Sequence, residues 1–208
     1  MRARRAEASR ALPGALAPAL LGLLLALGGC SVEQPTPFFA TEVSGVNYGH
    51  ELTIPDTAGE PRRLKDFEDR VSVVFLGFAS CPDVCPTTLL RLKAARAALG
   101  AQADRIQVLL VTVDPERDTP ERLRAYLDNF DPSFIGLRPE PADLTRVVRA
   151  FHAVAEKVPT GAGADYTIDH SSSLYVYDRG ARLRLLAPAD ISVEDLASDL
   201  RRLANEAS

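Results

Sequence analysis

Residues 71–79 (VSVVFLGFA) form an apolar run rich in β-branched and aromatic side chains, the pattern of a strand buried on both faces. The run leads into Cys81-Pro82-Asp83-Val84-Cys85-Pro86. Residues 87–99 (TTLLRLKAARAAL) follow, with Leu89, Leu90, Ala94, Ala97 and Ala98 near a helical period. A central strand, a tight turn holding two thiols and a helix must therefore come in succession, which restricts the chain to a layered α/β arrangement. At a helix N-terminus the free N–H groups and the peptide dipole favour a thiolate. Pro86 fits the first turn, where its missing N–H would be unpaired anyway. Such a turn suits redox exchange or a soft metal.

The rest of the chain alternates in the same way. Residues 50–54 read as a short strand, 56–60 as a turn and 62–64 as the return, together an N-terminal β-hairpin. Residues 105–113 (RIQVLLVTV) predict a second buried strand. In the polar loop 114–120, Thr119-Pro120-Glu121 supplies an N-cap, a proline at the first helical position and an acid in the first turn. A helix over 121–130 follows, with Leu123, Tyr126, Leu127 and Phe130 on one face and Asp131-Pro132 as its stop. Residues 133–137 read as extended, 141–156 as a helix carrying Leu144, Val147, Val148, Phe151 and Val154, and 159–164 as a flexible loop. Residues 172–177 and 181–186 pair across an Asp178-Arg179-Gly180 turn, and Ser192 caps a last helix to about residue 205. A right-handed parallel crossover joins the first two core strands. The order matches a thioredoxin-like fold: a central mixed sheet, helices on both faces and the N-terminal hairpin.

The N-terminal thirty residues have another character. Arg2, Arg4, Arg5 and Arg10 precede an apolar stretch over residues 16–29, as in a secretory signal. That stretch is shorter than the ~20 residues that span a bilayer, although an uncleaved anchor is the alternative. Leu27-Gly28-Gly29-Cys30 resembles the lipobox of bacterial lipoproteins, in which the cysteine is lipidated after cleavage. This divides the 208 residues into a signal segment 1–30, a tether 31–44 and a folded domain 45–208, on the outer side of a bacterial membrane. It also resolves three cysteines into one anchor, Cys30, and one pair. The first thirty residues hold four Arg and one Glu, so the remainder carries 20 basic against 27 acidic residues, net −7, and a nucleic-acid partner is not expected.

The pair is separated by three residues, one more than in dithiol oxidoreductases of the C-x2-C type. The wider loop lets two sulfurs converge on an ion, and two thiolates select a soft metal, Cu(I) above all. A third ligand is then needed, from His50, His152 or His170. His152 reads as a helix-surface histidine and His50 as a strand-edge one. His170, in Tyr166-Thr167-Ile168-Asp169-His170-Ser171, precedes a core strand where thioredoxin-like proteins place a cis-proline. No proline occurs there, between Pro159 and Pro188. Asp169 is a candidate to orient its ring. Spacing alone leaves His170 either a ligand or an ordinary loop histidine. Asp114, Glu116 and Asp118 lack the pattern of a calcium loop and read as a solvated loop.

Three segments resemble the Sco/SenC family in order. They are residues 75–89 (FLGFASCPDVCPTTL), 113–120 (VDPERDTP) and 166–175 (YTIDHSSSLY), within a resemblance covering roughly 45–205. The resemblance implies a copper-binding, thioredoxin-like protein that helps assemble the CuA centre of cytochrome c oxidase, with Cys81, Cys85 and His170 as copper ligands. Its implied partners are a copper ion, the oxidase subunit carrying CuA and a thioredoxin-like reductant. Ala79-Ser80 departs from the family, where a threonine or histidine commonly precedes the first cysteine. Copper delivery, reduction of the oxidase thiols and copper or redox sensing all use the same three residues. A metal-independent thiol–disulfide oxidoreductase needs only Cys81 and Cys85, as a disulfide when oxidised, and a peroxidase would use one as nucleophile.

Overall fold

The computed structural model describes residues 37–161 and 165–206. The expected signal segment, Cys30 and the first part of the tether lie outside these residues. In chain order the elements are β1 (Thr41–Glu42), β2 (Ile54–Pro55), β3 (Pro61–Arg62), β4 (Val71–Gly77), α1 (Val84–Ala98), β5 (Ile106–Thr112) and α2 (Pro120–Asp128). They continue with β6 (Ile135–Leu137), α3 (Leu144–Ala150), β7 (Ala155–Pro159), β8 (Tyr166–His170), β9 (Leu174–Tyr177), β10 (Leu183–Ala187) and α4 (Val193–Asn205).

The two apolar runs form the centre. Every residue of β4 and β5 is buried, and the strands pair in parallel from Val71 opposite Ile106 to Gly77 opposite Thr112. A parallel pair needs a crossover, which α1 supplies. The six-stranded mixed sheet has the order β1-β10-β9-β4-β5-β6. β9 lies antiparallel to β4, and β6 parallel to β5. Alternation splits the core. On one face Phe75, Leu110 and the sulfur of Cys85 in α1 gather around Gly77, and α1 packs on α4. On the other, Val74, Leu109 and Val111 meet Leu52, Ile54, Phe67 and Phe151, the last delivered by the end of α3. This is a thioredoxin-like arrangement, and β2–β3 is the expected N-terminal hairpin with shorter, shifted strands: residues 50–53 are turn and loop, and pairing is confined to Ile54–Pro55 with Pro61–Arg62.

The helix ends follow local chemistry. Thr119 caps α2 by accepting from Arg122 N–H, with Pro120 in the first turn, and Ser192 caps α4 by accepting from Asp195 N–H. α1 buries Cys85, Leu89, Leu92 and Ala95, whereas Leu90 is 56% exposed. Of the face expected from the sequence, Leu89 is buried, whereas Leu90, Ala94, Ala97 and Ala98 are exposed; alanines fit either phase, and the sheet chooses.

Two stretches differ from expectation. Residues 141–156 do not form one helix. α3 ends at Ala150, His152 takes φ +51°, and Ala155–Pro159 becomes β7, paired with β8 over Ala155–His170 to Pro159–Tyr166. The apolar period continues through this stretch, but the backbone finds partners in a distant segment that periodicity cannot see. At the other end, Thr41–Glu42 pairs with Leu186 and Leu185 at the sheet edge, in residues read as tether. Asp199, buried in α4, accepts from the N–H groups of Phe39 (3.0 Å) and Ala40 (2.8 Å) and fastens this entry. Among the described residues no helix is long and apolar enough to cross a membrane.

Candidate metal centre

The cysteine turn stands at the carboxyl end of the central strand. Chain continuity from β4 puts Cys81 in the turn and Cys85 in the first turn of α1, after Asp83 at the N-cap. Cys85 N–H points at Cys81 Sγ, 3.4 Å away, so the helix terminus directs a donor at the more exposed sulfur. Both cysteines are free thiols, Cys85 buried and Cys81 partly so. Gly77 makes the seat for Cys85. A Cβ there would lie 2.8 Å from the Phe75 ring, 3.0 Å from Cys85 Sγ and 3.1 Å from Leu110. Burial pushes the Cys85 thiol far above the ordinary range, with the Cys81 neighbour adding to it and a Phe78 backbone bond opposing. The expectation that a helix N-terminus favours a thiolate is therefore overridden at Cys85 by desolvation.

His170 arrives from β8. Its Nε2 lies 3.7 Å from Cys85 Sγ, and the donor atoms of Cys81, Cys85 and His170 all fall within 4.8 Å of one another. Ring position is set by Phe78, edge-on at 5.8 Å between centroids, and Phe75 at 6.3 Å. Nδ1 sits 2.9 Å from the Ser171 carbonyl, an acceptor that holds the proton there and leaves the Nε2 lone pair facing the thiols. That orienting role was expected of Asp169. Asp169 is exposed at the rim of a shallow cleft with Cys81, Val84 and Ser172, and the neighbouring carbonyl does the work instead. His170 is also not in a loop: it is the last residue of a strand.

The three residues form the one group of this kind among the described residues. His50 lies beside Glu51, 3.2 Å away, and His152 stacks on Tyr48 at 4.3 Å, both outside the group. Asp83 is exposed and caps nothing with its side chain.

The Asp114–Asp118 segment is not the solvated loop that its composition suggests. Asp114 and Asp118 are 1% and 0% exposed. Asp118 Oδ2 accepts from Ala79 N–H (3.0 Å), immediately before the cysteine turn, and from the Thr112 hydroxyl (2.6 Å) at the end of β5. Burial raises the Asp118 pKa despite these two bonds, and its Oδ1 has no partner. Arg138 donates to the carbonyls of Asp118 (2.9 Å) and Pro115 (2.8 Å), so the segment is fixed from β6 as well. Arg122 donates to Ser80 Oγ at 2.6 Å. Gly77, Asp118 and Phe78 thus support the site, and the sequence signals for them were a glycine closing a strand and acids beside a Thr-Pro cap.

Fold and site together define a thioredoxin-like protein with a dithiol and an imidazole converging at the end of its central strand. The sequence profile of the SCO1/SenC family matches residues 41–205, and the chain belongs to that family. It is 32% identical over 152 residues to a SCO2-like protein of Rickettsia prowazekii, covering 73% of this chain and 74% of that protein. The structure is similar to Bradyrhizobium japonicum ScoI with copper bound (TM-score 0.66, 36% identity, 72% of this chain and 95% of that one). It is also similar to apo Sco1 of Thermus thermophilus (TM-score 0.71, 36% identity, 80% and 97%).

Proposed function

We propose that this chain binds copper through Cys81, Cys85 and His170 and acts in assembly of the CuA centre of cytochrome c oxidase, tethered to the outer side of a bacterial membrane by lipid on Cys30. The observation that carries the reading is the convergence of two sulfurs and an imidazole nitrogen, brought together from residues eighty-five positions apart. Two thiolates and one imidazole suit a soft ion, and membership of the SCO1/SenC family supports copper over zinc. Copper is cargo here. Cys81 and His170 share a solvent-facing cleft, so a partner's ligand approaches them first while buried Cys85 retains the ion. The partners are the CuA-bearing subunit and a thioredoxin-like reductant that keeps the pair reduced, since an oxidising compartment favours the disulfide.

The test is anaerobic copper titration of the reduced protein and of His170→Ala. One ion per chain is expected. The variant should lose more than the ~10–100-fold that removing a hydrogen-bonding neighbour of a metal ligand costs. Equal affinity in both would remove His170 from the site. Loss of lipid labelling in Cys30→Ala is the matching test of the anchor. A second reading, metal-independent thiol–disulfide exchange, is supported by the partly exposed Cys81 beside buried Cys85, the arrangement of an attacking and a resolving thiol. Tight copper binding by the wild type counts against it as the sole function.

A further inference from the structure

We propose that Asp114, Arg117 and Tyr166 form a latch that closes the β7–β8 hairpin over the cysteine turn and sets how long His170 stays with the thiols. The hairpin is a separate two-stranded sheet and has no ladder to the main sheet. Its inward face carries Ile168, buried, between Tyr166 and His170, as strand alternation requires. What this face rests on therefore decides where His170 sits.

At the far end of that face, Arg117 is the wedge. Its guanidinium lies 3.8 Å from the Tyr166 ring centroid and 5.8 Å from that of Phe78, the ring on which His170 also rests. Arg117 Nη1 donates to the Tyr166 carbonyl at 2.8 Å, Nε donates to Asp114, and Tyr166 Oη donates to Asp114 Oδ1 at 2.8 Å. The three residues thus close a ring of contacts between the hairpin and the segment that Arg138 and Asp118 hold rigid. Lys157 of β7 adds an outer tie to Glu116 at 2.6 Å. Nη2 of Arg117 is buried without a partner, so the guanidinium is held by shape and stacking as well as by its bonds. None of these residues belongs to the Cys–Cys–His group: they are positioning residues, acting on His170 through the hairpin.

The consequence for copper rests on the function proposed above; the latch itself is a property of the metal-free chain. It is tested by amide hydrogen exchange of residues 166–170 in the apo protein and by the rate of copper release to a chelator, for wild type, Tyr166→Phe and Arg117→Ala. Tyr166→Phe removes a single hydrogen bond, so exchange in the hairpin should rise about fivefold, with β4 and β5 unchanged. Arg117→Ala should rise further and Arg117→Lys should recover part of the loss. Copper release should quicken in the same order. Unchanged hairpin exchange in Tyr166→Phe overturns the latch, and that variant carries the test if Arg117→Ala does not fold. Faster exchange with unchanged release overturns the link to His170. Failure of the wild type to bind copper sinks the copper reading instead, while the exchange data still decide the latch.

Discussion

The two halves of the candidate metal centre are built differently. The thiols stand on the main sheet: Cys85 is sunk against Gly77 of a parallel strand pair with every residue buried. The imidazole stands on a two-stranded hairpin with no ladder to that sheet: its base closes on itself, where Ser171 N–H donates to the Val154 carbonyl at 3.0 Å, and side chains tie it to the Asp114–Asp118 segment. A local opening that moves His170 breaks few backbone bonds, whereas one that moves Cys85 must disturb the central strands. Under the function proposed here, this lets one ligand leave without loss of the other two.

Phe78 links the two halves, its backbone running from β4 towards the cysteine turn and its ring packing on His170, and removing it should have the largest effect. It is 1% exposed and packs against the His170 ring in a T-shaped contact. Phe78→Ala should cost about 3–5 kcal/mol in urea unfolding and release the hairpin at once. A smaller loss, with hairpin exchange unchanged, would mean that the two halves do not share this support. Gly77→Ala should strike the thiol half alone. With Phe75, Cys85 Sγ and Leu110 all within 3.1 Å of the new methyl, overpacking should cost about 1–3 kcal/mol and shift the Cys85 thiol's reactivity toward alkylating agents.

Ser171→Ala addresses the hairpin half. It deletes the bond from Val154 N–H to Ser171 Oγ (2.9 Å), worth about 1 kcal/mol, which should show as faster exchange near residue 154 with little change in the global midpoint. The smallest effect expected is a slope. The buried Asp118 has a pKa raised above its unfolded value, mainly by desolvation. Its contribution to stability is therefore complete below the unfolded carboxylate range and is lost as pH rises through the folded pKa. Melting curves of Asp118→Asn should lack that decline from acid pH upward while keeping an acceptor for Ala79 and Thr112; parallel curves for variant and wild type would reject the raised pKa.

Much of this was legible in the chain. Residues 71–79 and 105–113 read as core strands, because each carries four consecutive large apolar side chains (Val73 to Leu76 and Val108 to Val111) that an exposed element does not tolerate, and Thr119-Pro120 and Ser192 marked helix starts by side-chain oxygens that accept local N–H groups. The two thiols lie only four positions apart in sequence, so the helix start delivered both. His170 was a weaker inference, made firm by the family resemblance and not by spacing. Asp114 and Asp118 were misread because composition reports polarity and not burial: each is polar, yet each is enclosed by partners from other elements.

By itself, then, the sequence determined what neighbouring residues impose on one another: the strand–turn–helix that presents Cys81 and Cys85, the caps, and the α/β layering. Only the tertiary structure decided that residues 155–159 would leave the helical pattern and pair with residues 166–170, that a carbonyl would orient the His170 ring, and that Arg117 would lie between two aromatic rings from distant segments. Each of these depends on partners many residues away, whose approach is settled by the packing of the whole sheet and not by any local preference.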